Sequence, residues 1–291
     1  MNQAVTDVKL PGIPLLKQGK VRQVFDLGSE ILIVATDRIS AFDLVLNQGI
    51  PQKGMILNRL SCFWFDYTKG IIRNHLITAD VDSFPAELKP YAELLRGRSM
   101  IARKATTIPI ECVVRGFLAG SAWEEYREKG TICGQRYENL KQSQQLPDPI
   151  FTPATKSTSG HDQNITIAEA GRIVGRELAA RLEQKSIEVY KAVFEYASNK
   201  GIIFADTKFE FGLDGNDAIL IDEMFTPDSS RFWAKEDYEV GKSPPSFDKQ
   251  FVRDYLISLN WNRQPPAPDL PPDIIRKTQE KYLEAEKRLL A

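Results

Sequence analysis

Charged residues interrupt an apolar stretch at positions 204–223, which reads FADTKFEFGLDGNDAILIDE. Asp206, Lys208 and Glu210 recur at every second position, so a β-strand would place their side chains on one face. The segment GLDGND supplies the glycines and the asparagine that a hairpin turn needs. A second strand would then bring Asp222 back towards Lys208 and Glu210. The pattern predicts a hairpin with a cluster of carboxylates around one lysine.

Carboxylates at this density repel one another unless they share a cation. Mg²⁺ suits such a cluster because it takes hard oxygen ligands and usually bridges the phosphates of a substrate. The hairpin therefore favours a metal and phosphate site. The alternative is a structural ion network in which Lys208 pairs with Glu210 or Asp222.

Two other segments have the residue types of phosphate-binding sites. In QGKVRQV (18–24) a glycine turn would expose backbone N–H groups, with Lys20 and Arg22 on one face of the strand. In RGFLAGSAWEEY (115–126), Gly120 and Ser121 stand at a predicted helix start, where N–H groups bind anions, and Arg115 could add a bidentate contact. The alternatives are an ordinary hairpin with solvated charges and a helix cap with a surface arginine.

Two polar loops could contribute to such a site. The segment FTPDSSRFW (225–233) contains Arg231, and FTPATKSTSGHDQN (151–164) contains Lys156 and Asp162.

Standard sequence motifs do not indicate a P-loop, a Rossmann fold, a serine hydrolase or a zinc protease. The GKS at 241–243 is not a P-loop, because Glu236 stands where the motif requires glycine, and the chain has no GxGxxG, GxSxG or HExxH.

These segments need elements to position them. The patterns predict strands within 15–27 and 30–37, a helix near 55–70, two strands within 98–114 and a helix near 120–130 with Ser121 close to its N-cap. A long ordered loop follows at 139–164, then two helices separated by a break within 165–201. After the hairpin come a helix near 246–259, a proline-rich stretch and an amphipathic C-terminal helix. Helices and antiparallel hairpins without a βαβ rhythm predict an α+β fold.

Composition limits the function classes. The chain has 291 residues, of which 42% are hydrophobic and 26% charged, typical of one large or two ordinary globular domains. A net charge of −1 disfavours a general nucleic-acid surface. The three cysteines lack the spacing of a zinc site or a disulfide framework, and no apolar run is long enough for a membrane span or a signal peptide. We expect a soluble, cytoplasmic protein with no nucleic-acid or membrane partner.

Six segments occur in an order that resembles one enzyme family. They are QGKVRQVFD, ATDRISAFD, IPIECVVRGFLAGSAWEEY, PIFTPATKS with HDQNI, IIFADTKFEFG and LIDEMFTPDSSRFW. Together they resemble the phosphoribosylaminoimidazole-succinocarboxamide synthases, or SAICAR synthetases, in their longer monofunctional form. The resemblance implies a kinase-like N-terminal nucleotide-binding lobe at 1–105, a larger ATP-grasp-like domain with antiparallel sheets at 106–262, and a proline-rich linker with a C-terminal helix at 263–291.

The resemblance also implies a reaction. Members of the family join CAIR, a carboxylated aminoimidazole ribonucleotide, to L-aspartate in de novo purine biosynthesis, with ATP as co-substrate and Mg²⁺ as cofactor. An acyl phosphate is the expected intermediate, and SAICAR, ADP and phosphate are the products. The expected partners are small-molecule substrates and the expected state is a monomer. A small-molecule kinase on the same fold is the main alternative, although no segment resembles a kinase catalytic loop. A non-catalytic nucleotide-binding protein is another.

Site residues follow from the resemblance position by position. The implied catalytic residues are Lys208, Glu210 and Asp222, and the implied metal ligands are Glu210 and Asp222 with Asp206 nearby. The implied ATP-binding residues are Lys20, Arg22, Ala102, Arg103, Lys104, Glu111 and Lys208. The implied substrate-binding residues are Arg115, Ser121, Lys156, Asp162, Arg231, Ser40 and Asp43. One departure concerns Gly160 and Gln163, which flank His161 and Asp162 where the long form has acidic residues.

Overall fold

Helices and antiparallel sheets are mixed throughout the chain, which confirms the α+β prediction. The computed structural model describes residues 3–156, 163–247 and 249–291. Within these residues, no helix has both the length and the apolar character needed to cross a membrane. The chain divides into two units that are each discontinuous in sequence. The division into three consecutive segments at 1–105, 106–262 and 263–291, which the family resemblance implies, stays a prediction.

The first unit comprises residues 1–63, 75–104 and 247–291. A five-stranded antiparallel sheet in the order β1-β2-β3-β7-β6 and a β4–β5 hairpin form its β structure. Its strands are β1 (Leu15–Gln18), β2 (Arg22–Asp26), β3 (Glu30–Ala35), β4 (Arg38–Ala41), β5 (Leu44–Gly49), β6 (Leu76–Thr78) and β7 (Ser99–Arg103). Its helices are α1 (Lys53–Tyr67), whose last residues belong to the second unit, α2 (Ala92–Leu95), α6 (Gln250–Ser258) and α7 (Pro272–Leu290).

The C-terminal segment is part of the core of this first unit. Val252 and Leu256 of α6, together with Leu270, are buried against Ile39 of β4 and Leu46 of β5. This cluster supports the β4–β5 hairpin, whose turn holds the predicted substrate residue Asp43.

The second unit comprises residues 64–74 and 105–246. A seven-stranded sheet contains the path β12-β9-β14-β15, with β13 also paired to β9, and β8 and β16 also paired to β14. The strands are β8 (Thr106–Thr107), β9 (Ile110–Phe117), β10 (Thr131–Ile132), β11 (Gln135–Arg136), β12 (Gln145–Phe151), β13 (Ala154–Thr155), β14 (Ile202–Asp214), β15 (Asp217–Ile221) and β16 (Ser230–Ala234). The helices are α3 (Ser121–Lys129), α4 (Ile167–Val174) and α5 (Arg176–Asn199).

The predicted break within 165–201 is confirmed and lies at Gly175. Thr166 begins α4 as the N-cap of a capping box with Glu169. Gly175 then ends α4 and begins α5 with φ 91° and ψ 141°, a conformation that glycine adopts without a side-chain clash. Tyr190 on the buried side of α5 donates a hydrogen bond to the carbonyl oxygen of Phe204 on β14 at 2.5 Å, which ties the helix to the central strand.

One local prediction needs correction. The segment predicted as one long loop at 139–164 contains β12 and β13. The prolines of QLPDPIF argue against a strand when only the sequence is considered. However, β12 is an edge strand whose one partner among the described strands is β9, and edge strands tolerate proline. The prediction that Ser121 lies close to the N-cap of α3 is confirmed, because the N-cap is Gly120 and Ser121 is the first helical residue.

Candidate active site

Strand β14 places the hairpin charges as the alternation predicts. Phe209 and Phe211 are fully buried on one face, while Lys208 and Glu210 are only half-buried on the other. The register with β15 sets Glu210 opposite Ile221, and Asp222 is the first residue after β15 at this end of the hairpin. A turn of only two residues joins β14 to β15, and the hairpin predicted from the sequence is confirmed.

The half-buried face carries a compact charge cluster. Lys208 Nζ lies 2.6 Å from Glu111 Oε1 of β9 and 3.8 Å from Glu210 Oε1. Lys156 Nζ lies 2.6 Å from Glu210 Oε2. Burial alone lowers the pKa of Lys208, but the carboxylates of Glu111, Glu210 and Asp222 outweigh it and hold that pKa above its ordinary value. Lys208 is therefore a permanent cation at neutral pH.

The carboxylates around Lys208 are the residues of this cluster that could bind a divalent cation. Among the described residues, no three His, Cys, Asp or Glu side chains form a metal-binding group. Mg²⁺ needs fewer, since it commonly takes one or two protein carboxylates together with substrate phosphates and water. Glu210 and Asp222 both contribute to raising the pKa of Lys208, so both carboxylates lie within electrostatic range of its ammonium. Two carboxylates near a lysine are a residue set that suits Mg²⁺ together with phosphate groups.

Asp206 lies in a different environment from the predicted metal ligands. Its buried carboxylate accepts a hydrogen bond from Arg115 Nη1 at 3.0 Å and forms an ion pair with Arg231. The register explains the meeting, because Asp206 on β14 stands opposite Arg115 on β9 on one side and Arg231 on β16 on the other. Two guanidinium groups already compensate this carboxylate.

The arginine cluster extends to the start of α3. Arg115 is buried, and its Nη2 donates to Ser121 Oγ at 2.9 Å while its Nε donates to Thr152 Oγ1 at 2.9 Å. Burial lowers the pKa of Arg115 and the nearby Arg231 lowers it further, whereas Asp206 raises it; arginine nevertheless stays protonated in proteins. Arg231 is the more accessible of the two, with 41% of its side chain exposed. Two guanidiniums, a hydroxyl and a helix N-terminus form an anion-binding arrangement.

The predicted glycine turn lies in the first unit. Gly19 N–H donates to the carbonyl oxygen of Arg22 at 2.8 Å, which closes the turn between β1 and β2. Lys20 Nζ lies 2.6 Å from Asp43 Oδ1, so these two predicted residues are brought together. Arg38, which the sequence analysis missed, donates to the carbonyl oxygens of Gly19 and Lys20 at 3.0 and 3.1 Å. The buried Arg38 thus satisfies carbonyl groups of the turn and fixes its conformation.

The other predicted residues of the first unit are spread over its sheet. Ala102 and Arg103 are the last residues of β7, and Lys104 follows with its Nζ 2.6 Å from Asp26 Oδ1. Ser40 belongs to β4 rather than to a loop, and Asp43 occupies the β4–β5 turn with φ 65°. Asp162 lies outside the described residues.

The sequence patterns do not indicate Thr152, and they indicate Gly120 only through its backbone at the helix start. Thr152 follows edge strand β12, and only the pairing of Phe151 with Val114 shows that its hydroxyl reaches Arg115. Gly120 was considered only for its N–H group. Its φ of 57° favours glycine over residues that have a side chain, and this angle is known only from the folded structure.

Known proteins resemble the chain over almost its whole length. The family model for SAICAR synthetase matches residues 15–268. The phosphoribosylaminoimidazole-succinocarboxamide synthase of Desulfosudis oleivorans is 54% identical over 287 residues, which are 98% of each chain. The enzyme of that name from Thermodesulfovibrio yellowstonii is 51% identical over 285 residues, again 98% of each chain. A solved SAICAR synthase from Saccharomyces cerevisiae, complexed with SAICAR, superimposes with a TM-score of 0.91 at 43% identity over 98% of each chain.

Proposed function

The chain belongs to the SAICAR synthetase family, and on this premise we propose which of its residues perform which part of the reaction. The enzyme is a ligase of purine biosynthesis that joins CAIR to L-aspartate at the expense of ATP. One observation carries the assignment of roles. Strand β14 presents Asp206 with its two arginines and, two residues further on, Lys208 with its carboxylates. A spacing of about 7 Å along a strand separates the two groups.

We assign the arginine cluster to the phosphate of CAIR. Arg115 and Arg231 supply guanidinium donors, Ser121 supplies a hydroxyl, and the first N–H groups of α3 point in the direction that favours an anion. Asp206 was expected beside the metal ligands. Because its carboxylate is occupied by both arginines, we assign it instead to holding them in position.

We assign the lysine cluster to phosphoryl transfer. Phosphoryl transfer depends mainly on positioning and on neutralising charge. Lys208 supplies the fixed positive charge for the transferred phosphoryl group, and Glu111 and Glu210 hold its ammonium in place. The CAIR carboxylate attacks the terminal phosphorus of ATP and ADP leaves. The aspartate amine then attacks the acyl carbon of the resulting acyl phosphate, which releases phosphate.

Glu210 and Asp222 are the proposed Mg²⁺ ligands. Mg²⁺ held by these two carboxylates would help to neutralise the negative charge of the phosphates during transfer. Lys156, which pairs with Glu210, is proposed to exchange this partner for a substrate group when the carboxylate binds metal.

The remaining assignments rest on the resemblance. In the first unit, Lys20 and Arg22 are proposed phosphate ligands of ATP, and Ala102, Arg103 and Lys104 are proposed to hold its adenine. Ser40 and Asp43 are proposed for the aspartate side, and Lys156 and Asp162 for closure over the substrates. We further propose that the enzyme acts as a monomer in the cytoplasm, and sedimentation of the purified protein tests the oligomeric part.

Product analysis tests the function. Purified protein is mixed with ATP, Mg²⁺, CAIR and aspartate, and the expected product is the succinocarboxamide, identified by mass. Omitting either CAIR or aspartate should abolish this product. Formation of ADP with no aspartate-dependent product would point to the kinase alternative and overturn the ligase.

The Arg231→Ala variant tests the phosphate assignment. It removes an accessible guanidinium from the CAIR phosphate, so KM for CAIR should rise at least about tenfold, the usual loss for a charge-assisted hydrogen bond. KM for ATP should change less than about twofold. Arg127→Ala is the control, because Arg127 is an exposed arginine of α3 whose partner is Glu124. Equal effects of Arg231→Ala on both KM values would contradict the assignment.

A further inference from the structure

Gly120 lies directly against the guanidinium group of Arg231. A Cβ atom built on Gly120 would stand 2.1 Å from Nη2, 2.4 Å from Cζ and 2.6 Å from Nη1 of that arginine. Ordinary contacts between such atoms are about 3.5–4.0 Å. Any side chain at position 120 therefore occupies the space that the guanidinium needs.

Arg231 is restrained on its other sides. Its backbone is fixed in β16, where it pairs with Asp206 of β14, and its side chain forms an ion pair with the Asp206 carboxylate. The guanidinium thus lies between that carboxylate and the backbone of Gly120, the N-cap of α3. A methyl group at Gly120 would push the guanidinium away from the N-terminus of α3, because the arginine side chain is the movable partner.

We propose that Gly120 is a positioning residue for substrate binding, which keeps Arg231 at the helix terminus so that one phosphate monoester can meet Arg231, Arg115 and the first N–H groups of α3 together. The inference rests on the proposed function of Arg231. It adds that the bare backbone at position 120 is required for tight binding of the substrate's phosphate group. A side chain at this position is also strained by the backbone, since Gly120 has φ 57° and ψ −136°.

The main test is Gly120→Ala, measured for KM and kcat. We expect KM for CAIR to rise about tenfold to a hundredfold, with KM for ATP within about twofold. The inhibition constant of ribose 5-phosphate against CAIR should rise by a similar factor, because this probe carries the phosphate without the imidazole. An unchanged KM for CAIR in the folded variant would overturn the inference.

Gly175→Ala is the matched control for backbone strain. Gly175 is also the N-cap glycine of a helix in the second unit and has φ 91° and ψ 141°, but nothing lies within 4 Å of the position that a Cβ atom would take there. Both substitutions therefore place a side chain on a residue with positive φ, but only the one at position 120 meets a guanidinium. Gly175→Ala should leave KM for CAIR unchanged. A rise equal to that of Gly120→Ala would assign the effect to strain and overturn the inference.

A double-mutant cycle separates this inference from the proposed function. If Arg231→Ala leaves KM for CAIR unchanged, the phosphate assignment fails and the inference fails with it. If Arg231→Ala raises KM, Gly120→Ala should change it by less than about twofold in that background, because the clashing group is gone. An undiminished effect there would overturn the inference alone. If Gly120→Ala does not fold, Gly120→Ala/Arg231→Ala should fold, and failure of this double variant also overturns the inference.

Discussion

At the scale of single residues, the neighbours of Lys208 on and around β14 keep this lysine charged. Burial alone lowers the pKa of Lys208, but the carboxylates of Glu111, Glu210 and Asp222 raise that pKa above its ordinary value. The stabilising contribution of these pairs is fully present below the unfolded lysine pKa of about 10.4 and is lost only as pH rises through the higher folded value. Lys208 therefore does not titrate in the neutral range.

Glu210→Gln tests the metal assignment. The change removes a proposed Mg²⁺ ligand and one of the carboxylates that hold Lys208, while keeping the shape of the side chain. We expect kcat to fall at least about tenfold, as for residues that support a metal, and to recover partly at higher Mg²⁺ concentration. Steady-state kinetics over a Mg²⁺ titration provide the measurement.

Asp214→Asn is the control for this variant, since Asp214 lies on the same strand and pairs with Arg73 away from Lys208. Its kcat and Mg²⁺ dependence should match those of the unmodified enzyme. Full activity of Glu210→Gln at ordinary Mg²⁺ concentration would remove Glu210 from the ligand set.

At the scale of elements, the close packing of α5 on the sheet depends on a glycine in β9. A Cβ atom on Gly116 would stand 2.1 Å from the hydroxyl oxygen of Tyr190, which donates to Phe204 in the buried layer. The sequence patterns predict α5, β9 and β14, but they do not predict this contact. The contact depends on the angle and distance at which the helix crosses the sheet.

Gly116→Ala should consequently destabilise the protein. Overpacking of a buried layer costs about 1–3 kcal/mol, and loss of the Tyr190 hydrogen bond adds to that cost. The midpoint of urea unfolding should fall, and Tyr190→Phe in the same background should recover part of the loss by removing the clashing oxygen. Gly171→Ala in α4 is the comparison, because its Cβ would make ordinary contacts of 3.5 Å and favour the helix. A Gly116→Ala variant as stable as Gly171→Ala would refute this packing argument.

Helix α5 also carries a pH-dependent element. Burial raises the pKa of Glu183 above its ordinary value, so the ionised form is penalised in the folded state. Its contribution to stability is present below the unfolded pKa of about 4.3 and is lost as pH rises through the folded value. Glu183→Gln avoids this loss. Its Tm should exceed that of the unmodified protein at about pH 8, and the difference should vanish below about pH 4.

Glu177→Gln on the exposed part of the same helix is the matched control. Glu177 lies in the first turn of α5, where an acid is favoured by the helix dipole, so its loss should not raise Tm. A Tm gain for Glu183→Gln that is independent of pH would argue against burial of the charge as its cause.

At the scale of the whole molecule, the C-terminal segment is part of the first unit although more than a hundred residues separate it from the rest of that unit. Tyr282 and Leu289 of α7 are fully buried, and Lys53 of α1 stands over the Tyr282 ring at 5.6 Å. The sequence predicted an amphipathic terminal helix. Its amphipathic pattern indicated a partner but did not identify it.

Deletion of residues 272–291 should therefore unfold or strongly destabilise the first unit. Burial of several large apolar side chains is lost, at about 2–5 kcal/mol for each large one. We expect a lower Tm and loss of ATP binding, measured by calorimetry. Deletion of only Leu290 and Ala291, which are both exposed, is the control and should leave both unchanged. Unimpaired ATP binding after the larger deletion would show that α7 is dispensable for this unit.

The sequence by itself determined the features that depend on neighbours along the chain. The alternation around Lys208, the glycine turn at 215 and the break at Gly175 follow from local periodicity and backbone preference, and the structure confirms them. In FADTKFEFGLDGNDAILIDE, local pattern could not separate Asp206 from Glu210, because both point to one face. Only the pairing of β14 with β9 and β16 gives Asp206 its two arginines and leaves Glu210 with lysines. Those partners lie far apart in sequence, and their meeting depends on strand register.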